Sequence, residues 1–551
     1  MRKVIKYIVW IVGGLFLLIV VSLLVLYLSA DMKQPNIDRA LLSKGTVQRS
    51  DSLSILGNDC LRQDESGLWE LYVQGDAAER GVAYGRLMQP LMKYQEKVFV
   101  DQIHQIVPSN GYLKFLRFFI ILFNRNLGAN VPQEYRTEIA GISASCTHEY
   151  DAIGTPYERQ LNYHAAHDIG HAMQDYMLVG CSSFAVWKSE SADSSLLIGR
   201  NFDFYVGDEF ARNKLVTFCA PDKGYKFVSV GWPGMIGVLS GMNEKGLTIT
   251  LNAAKSFMPL SSATPISILA REILQYASTI DEAYAIAKKR RTFVSESLLI
   301  GSAKDKRAAI IEKSPEKIAL FKPDGEQIIC TNHFQSSAFA KDKRNIENIA
   351  TSDSPYRWQR INDLLKRSVP LTPLKAAAIL RDYRGTKDQE IGLTNEKSIN
   401  QFICNHSVIF QPEKHMIFVS TSPWQIGKYV AYNLDSVFAH PQARKMTVDK
   451  LAIPADTMLN GTTYLRLMTY KRLSAKWRKG DVLPQDSISL MLAANPEYYF
   501  AWEQAADWYW QQGKRSTAVA FMKKALQKEI PRADIKKRMI KQFNTYDKTS
   551  K

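Results

Sequence analysis

The sequence predicts an α+β protein built on layered antiparallel sheet, and three observations lead there. From residue 181 onward, short runs rich in Val, Ile, Leu and Phe alternate with turn signals, the texture of consecutive strands. Strands and helices then come in blocks (strands, helices, strands, helices), where a parallel βαβ protein would alternate them one by one. The chain has 551 residues, 46% apolar and 23% charged, with few glycines and prolines. Those proportions exclude a disordered tail, a collagen-like chain and a polytopic membrane protein.

The elements follow in chain order. Residues 7–30 (YIVWIVGGLFLLIVVSLLVLYLSA) carry no charge, and Arg2, Lys3 and Lys6 precede them. As a helix this run has the length to cross a bilayer core of about 30 Å, and the leading positive charge favours a cytoplasmic amino terminus. The expectation is a transmembrane signal anchor over 1–30 in the cytoplasmic membrane, single-pass. The catalytic body then lies outside the cytoplasm, periplasmic or extracellular. A long cleaved signal peptide is the alternative, and it also exports the body. Residues 31–64 are polar and read as a linker. Residues 65–180 read as mostly helical, with glycine breaks. Within them Leu113 to Phe123 is apolar but short, and Lys114 and Arg117 interrupt it. A core helix and a lipid-facing helix both fit that run.

Strands are expected at CSSFAVWK, LLIGRNFDF, KLVTFCA, KFVSVGW, MIGVLSG and LTITLNA. Asn243–Glu244–Lys245–Gly246 reads as the hairpin turn between the last two. Two helices follow, PISILAREILQYA and TIDEAYAIAKKR, the second capped by Thr279 with Glu282 three residues on. Strands return at SLLIGSA, AAIIEK, KIALFK and QIICTNHF, helices at 356–367 and 373–382, and a last strand pair at FICNHSVIF and HMIFVSTS. The catalytic core is therefore expected over 181–440. Residues 441–551 read as helical. In 498–531, Trp502, Tyr509, Gly513, Ala518, Ala525 and Pro531 fall at the spacing of one tetratricopeptide-like repeat. A helical hairpin docked on the body and a protein-partner module are both open there.

One stretch carries chemistry. Cys181 opens the first strand after Gly180, and Arg200-x-x-Asp203 closes the second. A hairpin returns Arg200 and Asp203 to Cys181, although strict alternation does not put both on one face, so a bend is needed. A guanidinium beside a thiol favours thiolate, and a carboxylate orients a protonatable amine.

In these residues the chain resembles the cysteine N-terminal nucleophile (Ntn) hydrolases: bile-salt (choloylglycine) hydrolases, penicillin V acylases and the penicillin acyltransferase-like group. Gly75-x-x-x-Glu79-x-Gly81-x-x-x-Gly85-x-Leu87 resembles the opening of acyltransferase-like propeptides. Gly180–Cys181 resembles their self-cleavage junction, and Gly241–Leu247 followed by Leu251–Asn252 resembles the hairpin with an oxyanion asparagine. Thr331–Asn332, Tyr356–Arg357–Trp358-x-Arg360 and Asn405–Phe410 resemble later site segments, with Arg357 carried over and Arg360 also able to fill its place. The resemblance spans roughly residues 70–425. It implies a four-layer αββα sandwich with residues 65–180 as propeptide. It also implies autocatalytic cleavage before Cys181, whose freed α-amine, with a pKa of about 7.7–8.0, is the base for its own thiol. The thiolate attacks a linear amide and forms a thioester, with Asn252 and a backbone N–H stabilising the oxyanion. The site implied is Cys181, Arg200, Asp203, Asn252, Asn332 and Arg357, acting on a small-molecule N-acyl amide, with no cofactor. Phe257 and Met258, just after the hairpin, are expected to line its cleft.

Other readings of the same chain are weaker. His164, His167 and His171 share a helix face, but Asp168 stands where a zinc-protease motif needs Glu and Gly170 weakens the helix, so helix packing is preferred to a metal site. Six cysteines without CxxC spacing make no disulfide framework or zinc site. The surplus of 71 Lys+Arg over 54 Asp+Glu is spread along the chain, and no nucleic-acid motif accompanies it. The rival from another class is a cell-envelope interaction protein with an inactive hydrolase body, against which the intact Cys181, Arg200, Asp203 and Asn252 argue.

Overall fold

The computed structural model describes the backbone of residues 2–29, 31–50, 52–106, 118, 120–172, 178–255 and 263–550. Strands β1 (Gln48–Arg49), β2 (Leu53–Leu56), β3 (Asp59–Gln63) and β4 (Trp69–Gly75) begin an 11-stranded sheet. The chain crosses to a second, 7-stranded sheet for β5 (Leu178–Val179), β6 (Ser182–Lys188) and β7 (Ser194–Tyr205). It returns to the first for β8 (Leu215–Pro221), β9 (Phe227–Gly231), β10 (Ser240–Asn243), β11 (Leu247–Ala253), β12 (Glu296–Ser302), β13 (Arg307–Lys313) and β14 (Ile318–Phe321). Then β15 (Gln327–Cys330), β16 (Cys404–Gln411), β17 (Met416–Ser420) and β18 (Tyr429–Asn433) complete the second. Strand β4 runs parallel to β8, and this pairing joins the residues before Cys181 to the core.

Side-chain alternation along the strands makes the layers. Between the sheets, Ala185, Trp187, Leu196 and Ile198 of the second meet Val216, Phe218, Val228 and Ile310 of the first. The other face of the first sheet (Leu71, Leu215, Ile249, Ile300) packs against helices Ala77–Ile106, Gln133–Ser143, Pro156–Ala172, Ile266–Tyr276 and Ile280–Lys289. The other face of the second (Phe184, Val186, Leu197, Ile409) packs on helices Ser354–Ser368 and Pro373–Leu380. The expected αββα order is thus present. Thr279 caps its helix by accepting from the Glu282 N–H, and the Asn243–Gly246 turn joins β10 to β11.

The glycine-spaced segment before the core has a mechanical reading. Gly75 takes a positive φ of 96° at the end of β4, and Asp76 caps the next helix by accepting from the Ala78 and Glu79 N–H groups. A Cβ on Gly81 would sit 2.2 Å from the Glu138 carbonyl oxygen. The Ala77–Ile106 and Gln133–Ser143 helices therefore touch backbone to backbone, and buried Glu138 ties both to the body through Arg80 (2.8 Å) and Arg271 (3.3 Å).

Several expectations are corrected. The linker expected at 31–64 contains β1–β3, because the Gly57–Asn58 turn lets Leu53–Leu56 and Asp59–Gln63 pair and bury their apolar sides. Residues 65–180 are not wholly helical: Trp69–Gly75 is a strand. The first helix runs Arg2–Leu28, but among the described residues no helix is long and apolar enough to cross a membrane, so the expected anchor is not supported. The apolar 113–123 run lies largely outside the described residues, as do Phe257 and Met258, while its last turn buries Ile121 and Leu122. In the tail, helices Tyr499–Gln511 and Arg515–Leu526 form the hairpin. Trp508, Ala505, Ala518 and Ala525 are buried among neighbouring helices, which leaves the idea of a partner module there without support.

Candidate active site

Cys181 lies between β5 and β6, opposite β7. Val179 pairs with Phe204, the Gly180 N–H donates to the Asp203 carbonyl at 3.0 Å, and Ser182 pairs with Asn201. That register puts Cys181 across from Phe202, with Arg200 diagonal to it on the same face and Asp203 on the other. The bend expected between Arg200 and Asp203 is absent: β7 keeps one register through both residues, so they stand on opposite faces, and the irregularity at this point is the extra residue of β16 between Cys404 and His406.

The thiol is buried, and its sulfur accepts a long contact from Arg200 Nη2 at 3.7 Å. Burial pushes its pKa up to about 11; the Arg200 charge works against burial, and the nearby carboxylates of Asp203 and Glu296 add to it. The group is therefore a thiol near neutral pH. Arg200 is itself fixed: it donates to the Leu251 carbonyl, to Ser240 Oγ and to His406 Nε2, and its guanidinium stacks 4.4 Å over Phe202. Burial and the Arg200 charge hold His406 well below its usual pKa, so the neutral ring accepts at Nε2.

Asp203 is fully buried, and among the described residues neither carboxylate oxygen has a hydrogen-bond partner. The neighbouring Cys404 thiol donates to the His406 carbonyl instead. Burial raises the Asp203 pKa to about 7, with the charges of Arg357 and Arg200 restraining the rise. A buried carboxylate without donors is costly, and a cation beside it removes much of that cost.

Arg357 comes from the Ser354–Ser368 helix and settles which of the two arginines meets the site. Its Nη1 donates to the Cys181 carbonyl at 2.6 Å and to Ser182 Oγ at 3.0 Å, and its Nη2 to Asn332 Oδ1 at 2.7 Å. Arg360, one turn on, faces away and pairs with Asp382 and Asp388. Asn252 accepts from Ser183 Oγ at 2.8 Å, and its amide nitrogen donates to the Cys330 carbonyl at 3.0 Å. Asn332 donates in the same way to the Ala253 carbonyl at 2.9 Å. The six residues singled out in the sequence thus lie in one buried neighbourhood around Cys181: Arg200 and Arg357 touch it directly, Asp203 stands opposite Gly180, Asn332 is joined to it through Arg357 and Asn252 bonds Ser183 two residues on. Sequence reasoning gave no role to Ser240, His406, Ser183 or Gln401. Of these Ser183, Ser240 and His406 stood in quoted stretches, and a single polar residue inside a strand run gives no sign of what it will face.

His164 is a packing residue: it accepts from the Ile236 N–H at 3.0 Å, and its Nδ1 bonds the Gln160 carbonyl at 2.7 Å. The side chains of His167 and His171 lie outside the described residues. Beside the site, Phe202, Phe204 and Trp232 stack, and Phe204 and Trp232 line an apolar cavity with Met92, Phe99, Phe210 and Met235.

Residues 187–419 match the family model of acyl-coenzyme A:6-aminopenicillanic acid acyl-transferase. The match includes Arg200, Asp203, Asn252, Asn332 and Arg357 and begins just after Cys181. An uncharacterized protein of Archaeoglobus fulgidus is 25% identical over 358 residues, 58% of this chain and 58% of its own. Protein dcd1B of Dictyostelium discoideum is 22% identical over 271 residues, 46% of this chain and 51% of its own. The chain thus spans little more than half the length of these relatives. Among solved structures, a Caenorhabditis elegans N-acylethanolamine-hydrolyzing acid amidase ortholog aligns at 13% identity and a TM-score of 0.32, over 42% of this chain and 93% of its own. A variant of the conjugated bile acid hydrolase from Clostridium perfringens aligns at 12% and 0.32, over 46% and 92%.

Proposed function

We propose that the protein is a self-processing cysteine Ntn hydrolase or acyltransferase that acts on a linear N-acyl amide through a thioester on Cys181. The observation that carries this reading is a buried thiol whose preceding residue, Gly180, lies opposite Asp203, a buried carboxylate that accepts no hydrogen bond from the described residues. The Asp203 site suits a cation that the uncut chain does not yet have. Cleavage of Gly180–Cys181 creates one there, the α-ammonium of Cys181. That amine is on the nucleophile's own residue, so positioning costs little entropy, and its pKa near working pH lets it take and return the thiol proton.

In turnover, Arg200 stabilises the thiolate as it forms. Arg357 fixes the Cys181 carbonyl and so the direction of the thiol, Asn332 fixes Arg357, and Asn252 offers its second amide hydrogen to the oxyanion. The match to an acyl-transferase family over 187–419 supports acyl transfer from an amide, and the apolar cavity beside Phe204 supports an apolar acyl group. Water or an amine takes the acyl group from sulfur.

The test is an acid-quenched reaction with N-acyl amides, read by peptide mass. The expected result is an acyl adduct on Cys181. Amide turnover that persists in Cys181→Ala, with no adduct, overturns the proposal.

A further inference from the structure

Gln401 lies in the connection between the Pro373–Leu380 helix and β16. It is buried, and its amide nitrogen has no hydrogen-bond partner among the described residues. Burying an unpaired amide destabilises a fold, so its place needs a reason. The reason is visible at Gly180: a Cβ built there would lie 2.5 Å from Gln401 Nε2. The amide therefore sits against the α-carbon of the residue whose carbonyl the thiol must attack. Asn252 and Asn332 each spend an amide hydrogen on a main-chain carbonyl, whereas among the described residues Gln401 Nε2 spends neither.

The loop around Gln401 is held from both sides. Asn201 Nδ2 donates to the Ile399 carbonyl at 3.1 Å, the Asn400 N–H donates to the Asp382 carbonyl at 2.8 Å, and Asn400 Oδ1 accepts from the Phe402 N–H at 3.0 Å. Phe402 takes a φ of +53°, a conformation that a bulky residue adopts only under constraint. Farther along, Asn495 of the C-terminal helices bonds the Leu393 N–H and carbonyl at 2.8 and 2.7 Å, and Asn395 Nδ2 donates to the Glu529 carbonyl at 2.9 Å. The helical tail thus buttresses a loop that ends at the scissile bond. A donor held so firmly needs no reorganisation when charge appears.

We infer that Gln401 Nε2 is a catalytic oxyanion donor at the Gly180 carbonyl during self-cleavage, a role that rests on the self-processing reading above. The thiolate of Cys181 bonds to the Gly180 carbonyl carbon, and the C=O π pair moves to oxygen, where Gln401 donates. The C–N bond breaks, its electron pair stays on the Cys181 nitrogen, and that nitrogen takes the proton released by the thiol. Water then attacks the thioester, sulfur leaves as thiolate, and Gly180 ends as a carboxylate.

The experiment follows division of the pulse-labelled full-length chain with time, for the native protein, Gln401→Leu and Gln401→Glu. Gln401→Leu keeps the volume and removes an unsatisfied amide, so in a Cys181→Ala background it is expected to melt no lower than Cys181→Ala alone. Its cleavage is expected to slow by roughly 10²–10³-fold. Gln401→Glu donates only when protonated, so its rate relative to native is expected to rise as pH falls from about 8 to about 5. Cleavage of Gln401→Leu within twofold of native overturns the role of Gln401. If Gln401→Leu does not fold, a Gln401→Glu ratio that is flat with pH overturns it. A native chain that never divides at Gly180–Cys181 overturns the self-processing reading instead.

Discussion

Replacing Asp203 by Asn separates a cost borne by the fold from a gain used in chemistry. The perturbation is made in Cys181→Ala, which stays one chain. Burial raises the Asp203 pKa from 3.8 to about 7. The folded state therefore holds this proton more tightly than the unfolded state between those values, and stability falls as pH rises through that window. At 1.36 kcal/mol per unit, the difference is roughly 4 kcal/mol, fully present below about pH 4 and lost above about pH 7. Asn carries no such charge. The uncut Asp203→Asn protein is expected to match its parent at pH 4 and to exceed it by a few kcal/mol at pH 8, measured by denaturant unfolding across that range. In a chain with Cys181 intact, the same substitution is expected to abolish turnover, because the α-ammonium loses its counter-charge. A stability difference that does not change between pH 4 and pH 8, or an Asp203→Asn enzyme with native turnover, refutes the reasoning.

Three further outcomes follow from the same geometry. Arg200→Ala is expected to move the alkylation of Cys181 to higher pH, since the Arg200 charge is the main influence opposing burial at the thiol; an unchanged alkylation profile removes Arg200 from that role. Arg357→Ala is expected to slow acylation at least 10-fold while Arg360→Ala lowers stability with little effect on rate, because only Arg357 bonds the Cys181 carbonyl; single-turnover kinetics on the two variants decides it. Asn252→Ala is expected to lower kcat by roughly 10²–10³ to a similar degree for amides of different acyl chain; a raised KM for one chain with kcat intact makes Asn252 a substrate contact.

The sheets from residue 181 onward were legible because alternation and turn residues agree locally, as at the Asn243–Gly246 hairpin. The β1–β4 meander was not, although Gly57–Asn58 is a two-residue turn between runs that pair. Its strands are short and carry Ser, Arg, Asp and Gln. Their burial depends on the parallel pairing of β4 with β8, more than 140 residues away. Of the six candidate site residues, Cys181, Arg200 and Asp203 stood out by their own chemistry at the ends of two neighbouring strands, Asn252, Asn332 and Arg357 only through family resemblance, and composition alone pointed to none of them. The choice between Arg357 and Arg360 was beyond the sequence because it depends on helix rotation, which the 3.6-residue period leaves unassigned between neighbours three apart. Gln401 was invisible for a related reason. It belongs to no spaced motif, and its meaning comes from a close approach to Gly180, where a side chain would not fit, set by the Asn201 and Asn495 contacts on either side of its loop.

The most direct measurement is the amino-terminal sequence of the large fragment in an active preparation made without added protease. The account predicts fragments of 180 and 371 residues, with the larger beginning Cys181–Ser182–Ser183–Phe184, and a single uncut chain for Cys181→Ala. An active protein whose Gly180–Cys181 bond is intact, or whose new terminus lies elsewhere, contradicts it.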